Sequence, residues 1–249
     1  KSVGNWFESI PIKNQFESVL FSSWFGGLVG LILELTRGKT KLAGVFGAAS
    51  SFVGWLSLVA IFSAPFVAGR DIGGEIGMVN GVLMSYWLYI HVTMVTAAYA
   101  LIGMSFMLGC WWLLKYYLGS RGAFPLAPAM TATAEPPTAA ATSSAGGPSL
   151  QTLDACNMVI LQLAFWVLGV GIILGAVWAD QSWGRPWGWD PKETFALVTW
   201  IVYLAVVHIR LVTVDKAWWT ATLSIAGFFI MLFNWIGVNF FLVGLHSYA

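Results

Sequence analysis

The chain has 249 residues, 58% of them hydrophobic and only 9% charged, with 15 tryptophans and a formal net charge of +1. An ordinary soluble domain carries about 25% charged residues, so this composition excludes that class and points to a polytopic membrane protein. The small net charge points neither to nucleic acid nor to an acidic substrate. Cys110 and Cys156, far apart and without a C-x-x-C pattern, indicate neither a disulfide framework nor a zinc site.

Residues 1–15 mix polar and aromatic side chains around Pro11 and read as an extramembrane arm. The chain begins with Lys1, as expected of a sequence lacking its natural start, and no signal-peptide pattern is readable there. A first spanning segment is expected at about residues 16–35, close to the roughly 20 apolar residues that a bilayer requires. A second is expected at about residues 42–64, stopping at Pro65. Residues 66–86 include Arg70, Asp71 and Glu75 and are too polar to cross, so they read as a loop. A third span covers about residues 87–112. Residues 121–150 then turn to alanine, threonine, proline, serine and glycine, which cannot bury enough surface to fold and predict a disordered loop. Further spans follow at about residues 153–178, 195–212 and 218–245, with a tight turn at Asp215 and Lys216. No internal repeat is visible. The expected fold is all-α, a single membrane domain of about six helices.

Six spans put Arg37, Lys39, Lys41, Lys115, Arg121, Arg210 and Lys216 on one side, seven basic residues against four acidic ones. The other side carries five basic residues against seven acidic. By the positive-inside rule the first side is cytoplasmic or stromal, and both chain ends face outward.

Residues 179–194 lie on the outer side in this topology. They contain Trp183-Gly-Arg-Pro-Trp-Gly-Trp-Asp-Pro-Lys-Glu-Thr194, with Trp183, Trp187 and Trp189 interleaved with glycine and proline. Such a segment is either an aromatic shelf beside a flat apolar ligand or an interfacial belt. His91 near the outer end of the third span and His246 at the end of the sixth reach the same level. Two imidazoles from different helices can ligate one haem iron. His208 lies thirteen residues past Phe195, about 20 Å along the helix. An ionisable side chain at that depth is a functional candidate. Arg185, Lys192 and Arg70 suit anionic propionates equally as well as solvent or phospholipid. Asp190, ahead of Pro191, reads as the N-cap of the fifth helix. Met94, Met104 and Met107 read as adaptable packing.

The W-G-x-x-W-x-W-D-P-K-E-T run resembles the tryptophan-rich "WWD" signature of haem-handling proteins in cytochrome c maturation. Its D-P-K-E-T ending is similar to the CcsA/ResC branch (system II). Trp87-Leu-Tyr-Ile-His91-Val and Leu245-His-Ser-Tyr248 also match that pattern; the resemblance covers roughly the second half of the chain and residues 81–110. It implies haem b as cofactor, with His91, His246 and His208 as axial ligands and the tryptophans against the porphyrin. It also implies a CcsB/ResB-type membrane partner, apocytochrome c as client and no nucleic acid. The location implied is a bacterial inner or thylakoid membrane, with the tryptophan segment on the periplasmic or lumenal side. The chain would then be part of a holocytochrome c synthase that presents haem outside for thioether attachment to a C-x-x-C-H motif. Two alternatives are a CcmC-like component handing haem to a separate chaperone and an electron-carrying membrane cytochrome b. The disorder expected of the long loop gives a direct test of topology. Deleting residues 131–148 leaves membrane insertion and haem content intact, and protease nicks the loop from the cytoplasmic side only; cleavage from the outer side would reverse the assignment of sides.

Overall fold

The protein is described by a computed structural model over residues 12, 15–37, 44–68, 85–119, 148–242 and 244. Within these residues it is all-α, with no strand. The helices are α1 (Gln15–Arg37), α2 (Val45–Ala68), α3 (Tyr86–Gly119), α4 (Leu150–Trp183), α5 (Pro191–Val212), α6 (Lys216–Leu232) and the short α7 (Val238–Phe241). Six helical segments are long and apolar enough to cross a membrane.

Three boundaries differ from the sequence reading. α2 runs through Pro65 to Ala68, since a membrane helix accommodates the lost backbone hydrogen bond by local adjustment. α4 begins at Leu150, not after the low-complexity stretch has fully passed: Ser149 accepts a hydrogen bond from the Thr152 N–H at 3.1 Å. Lys115 Nζ also donates to the Pro148 carbonyl. A loop deletion that spares the helix start therefore ends at 147. The sixth segment is not one helix to residue 245. It passes at Phe233–Gly237 into a π-helical turn and becomes extended at Leu242. The arm before Ile12, the greater part of the 66–86 loop and residues 120–147 lie outside the described residues.

α3 is the central helix. Every residue from Thr96 to Ser105 is buried, so it is enclosed on all sides. It packs along α4 and also touches α1, α2 and α6. Met104 and Cys156 sit in this core and Met107 packs against it, the packing role expected of the two methionines. In lipid there is little hydrophobic drive between helices, so association relies on close backbone approach and buried hydrogen bonds. Ser105 Oγ donates to Asn157 Oδ1 at 2.6 Å between α3 and α4, and Ser22 Oγ donates to the Thr96 carbonyl at 3.1 Å between α1 and α3. At one end of the bundle Arg210 grips Asp154 through two N–H groups at 2.6 and 2.8 Å and reaches Thr220 at 3.2 Å, tying α5, α4 and α6 together.

Aromatic side chains gather at both ends, as at the two faces of a bilayer. Trp112 stacks on Tyr116 at 5.0 Å at the Arg210 end, where Trp218 also donates to Tyr117 Oη at 3.0 Å. The tryptophan segment lies at the other. Gly109 marks a tight contact between α3 and α6: a Cβ there would stand 2.5 Å from Ser224 Oγ and 2.9 Å from the Ala221 carbonyl oxygen. Gly109→Val forces α3 and α6 apart and is expected to cost about 1–3 kcal/mol, read as a lower thermal unfolding midpoint in detergent. Ser224→Ala in the same background recovers only the part due to the hydroxyl, because the Ala221 backbone cannot yield.

Candidate functional site

The tryptophan segment is a short connection clamped at both ends. α4 ends at Gly184, whose positive φ of 69° lets its N–H return to the Asp180 carbonyl at 2.9 Å. At the other end Asp190 caps α5, accepting from the Lys192 N–H at 3.2 Å, and Pro191 takes the first helical position. Glu193 completes a capping box: its Oε2 accepts from the Asp190 N–H at 3.2 Å and from the Gly188 N–H at 2.8 Å. The D-P-K-E sequence is thus a helix start, with Asp190 in the role its position implies. Trp189 sits between these clamps with φ 57°, an uncommon conformation for a residue with a side chain.

A cleft of about 90 Å³ opens beneath the segment. Its walls are His91, Val95 and Tyr99 from one face of α3 (positions i, i+4 and i+8), and Ile172, Gly175, Ala176, Trp178 and Ala179 from α4. Pro186 and Trp187 come from the connection, Lys192, Glu193 and Ala196 from the start of α5, and Asn234 from the π turn. His91 is held firmly. Its Nδ1 lies 2.7 Å from the Gly171 carbonyl. A carbonyl only accepts, so the proton is on Nδ1 and the lone pair at Nε2. Gly175 lets the ring approach; a Cβ there would be 2.6 Å from His91 Cε1. Lys192 Nζ donates to the Trp235 carbonyl at 3.1 Å, bracing α5 against the π turn.

The other candidates fall into four groups. Trp183 is the last residue of α4 and packs edge-on against Trp178 at 4.7 Å, while Trp187 and Trp189 meet at 5.8 Å and 88°. Trp187 lines the cleft, whereas Trp189 is 69% exposed. Arg185 is exposed and folds its guanidinium back over Gly188. His208 is not brought to this site. It lies twelve residues beyond Ala196, about 18 Å along α5, on the outward face of the helix with Nδ1 2.8 Å from the Leu204 carbonyl. Arg70 and His246 lie outside the described residues. Gly244, two residues before His246, rests against the cap, so close that a Cβ would stand 2.4 Å from Asp190 Oδ1. Among the described residues no cluster of three or more His, Cys, Asp or Glu side chains could hold a bare metal ion.

Sequence reasoning missed Trp178, Tyr99 and Asn234. Tyr99 had a signal, the i, i+4, i+8 relation to His91. The indole of Trp178 was hidden inside an apolar span, and Asn234 lines the cleft from within the π turn.

Residues 12–246 match the family model described as cytochrome C assembly protein. The chain is 32% identical over 255 residues to the cytochrome c biogenesis protein CcsA of Prochlorococcus marinus, covering 98% of this chain and 78% of that protein. It is 33% identical over 249 residues to CcsA of Guillardia theta, covering 98% and 79%. A match to protein NrfI of Wolinella succinogenes, 32% identical over 240 residues, covers 96% of this chain but spans only 23% of that longer protein. The chain belongs to the cytochrome c assembly protein family and is a CcsA-type cytochrome c biogenesis protein. It is an integral membrane protein serving cytochrome c assembly.

The clamp makes its own prediction. Glu193→Ala removes both acceptor contacts of the connection, and such capping losses cost about 0.5–2 kcal/mol. Hydrogen exchange over residues 184–190 is expected to quicken by about tenfold while α1 and α2 keep their protection. An unchanged exchange rate in the connection would mean that the tryptophan packing alone holds it.

Proposed function

We propose that this chain binds haem b in the cleft beside the tryptophan segment and presents it on the outer side of the membrane to apocytochrome c. The observation that carries the reading is His91: an imidazole fixed through Nδ1 on a carbonyl, in a cleft walled by Trp178 and Trp187. Ligating histidines are ordinarily oriented by such a hydrogen bond. The walls of the cleft are mainly apolar and aromatic, with a few polar groups among them, as in ligand pockets. His91 is the ligand on one face of the ring. His246 is the ligand on the other, a role favoured by Gly244 lying against the Asp190 cap two residues earlier. Haem brings the vinyl groups, and each client thiol adds its sulfur and hydrogen across one of them, with no net oxidation. The work of the protein is to hold, orient and shield. Trp187 and Trp178 bear on the ring, Lys192 offers an ammonium to a propionate, and Asp190 and Glu193 keep the connection in place.

His208 favours a partner. An ionisable side chain facing outward from a spanning helix is costly in lipid. A CcsB/ResB-type subunit covering that face of α5 would give it a counterpart, and the two together would ligate haem within the membrane.

His91→Ala and His246→Ala are each expected to lose most of the haem that co-purifies through the outer site, with partial recovery when excess imidazole is supplied. Unchanged haem content and an unchanged Soret band in both variants would refute the assignment. In the same spectra His208→Ala should remove a second haem only when the partner is co-expressed; full occupancy of two sites by the isolated chain would exclude the need for it.

A further inference from the structure

The cleft has a polar end that the ligating histidines leave unexplained. Asn234, 1% exposed, donates its Nδ2 to Tyr99 Oη at 2.9 Å, yet its Oδ1 has no partner among the described residues. A buried amide end without a partner costs about 1–3 kcal/mol, so its retention beside a cleft calls for an occupant. Two features make this end adaptable. The Tyr99 hydroxyl both donates and accepts, so it can hold either end of the amide, and Asn234 can show the cleft its oxygen or its two N–H donors. The backbone carbonyl of the next residue in the π turn, Trp235, accepts from Lys192 Nζ at 3.1 Å, which brings an ammonium to the same turn, and Lys192 and Asn234 both line the cleft. The cleft thus has an imidazole on α3, an ammonium from α5 and an amide from the π turn, with Val95, Ile172, Ala176 and Ala196 also among its walls.

We infer that Asn234, held by Tyr99 and sharing the cleft with Lys192, is a carboxylate-binding residue of this cleft, and that it takes one carboxylate arm of a planar apolar ligand. With Oδ1 turned onto the Tyr99 O–H, Nδ2 donates to the carboxylate while Lys192 supplies the opposite charge. The ligand class rests on the haem reading given above; the assignment adds which end of the ring enters and which residues hold it. It also fits the π turn, since such turns are frequent at functional sites and Asn234 lies within this one.

The test compares haem with haem dimethyl ester, in which both carboxylates are neutral, on the purified full chain in detergent. Binding is followed by the Soret band, with His91→Ala as the correction for partition into micelles. The wild type is expected to favour haem over the ester. Asn234→Leu should weaken haem by about tenfold, the size of one hydrogen bond to a charged group, and leave ester binding within twofold. Asn234→Asp should weaken haem further by placing like charges together, again sparing the ester. Because the comparison is made on the ligand, a variant that still binds the ester is known to be folded. Equal weakening of haem and ester by both Asn234 variants would overturn the inference and leave Asn234 a packing residue. Haem binding that His91→Ala does not reduce would instead overturn the haem reading, and this assignment with it.

Discussion

The first turn of α5 begins where a chain leaves a lipid-facing helix, and its backbone N–H groups have no helical acceptors. The Asp190 carboxylate supplies an acceptor there, and the other features of the site depend on that cap. Glu193 reaches back to Gly188 and Asp190, so the helix start and the connection before it are one rigid piece. That piece carries Trp187 over the cleft, sends Lys192 to the π turn and gives Gly244 a surface to lie against. A carboxylate spent on capping is also a carboxylate withheld from a ligand: Asp190 positions the cleft without lining it.

Within the bundle the solvent is hydrocarbon, and the chain answers with two devices. Small residues let α3 approach its neighbours, as Gly109 does against α6 and Gly171 against Val95. Paired polar groups such as Ser105 with Asn157 then fix the register that apolar packing leaves loose. Arg210 and Asp154 do the same at the opposite end from the cleft, where three helices converge. The site therefore stands on helices that are held at both ends.

How much of this was readable from sequence follows from what each signal encodes. Hydropathy reports depth, so the six spans and the levels of His91 and His208 came out directly. It says nothing about which way a side chain faces around the helix axis, and so the outward face of His208 and the inward face of His91 emerged only with packing. The capping box was legible because D-P-K-E is a local chemical pattern with a local consequence. Trp183 shows the limit of a motif: it belongs to the tryptophan run in sequence but to the last turn of α4 in space, with Trp178 taking the place at the wall. The π turn at Phe233–Gly237 was not anticipated from sequence; a Cβ at Gly237 would stand 2.5 Å from the Phe233 ring.

α3 and α4 each hold 34 residues, whereas α1, α2 and α5 hold 23, 24 and 22. At 1.5 Å per residue the long pair reaches about 51 Å, some 20 Å more than a hydrocarbon layer of about 30 Å. A bilayer adjusts its local thickness to the shorter helices around it, so the long hairpin cannot be accommodated by stretching the membrane and must either tilt or stand clear. His91 and the α4 end of the cleft ride on that hairpin. The height of the cleft above the lipid is consequently a property of the host membrane as well as of the protein: in a thick, sterol-rich bilayer its mouth would sit near the headgroups, and in a thin one it would stand out in water, within easier reach of a soluble client.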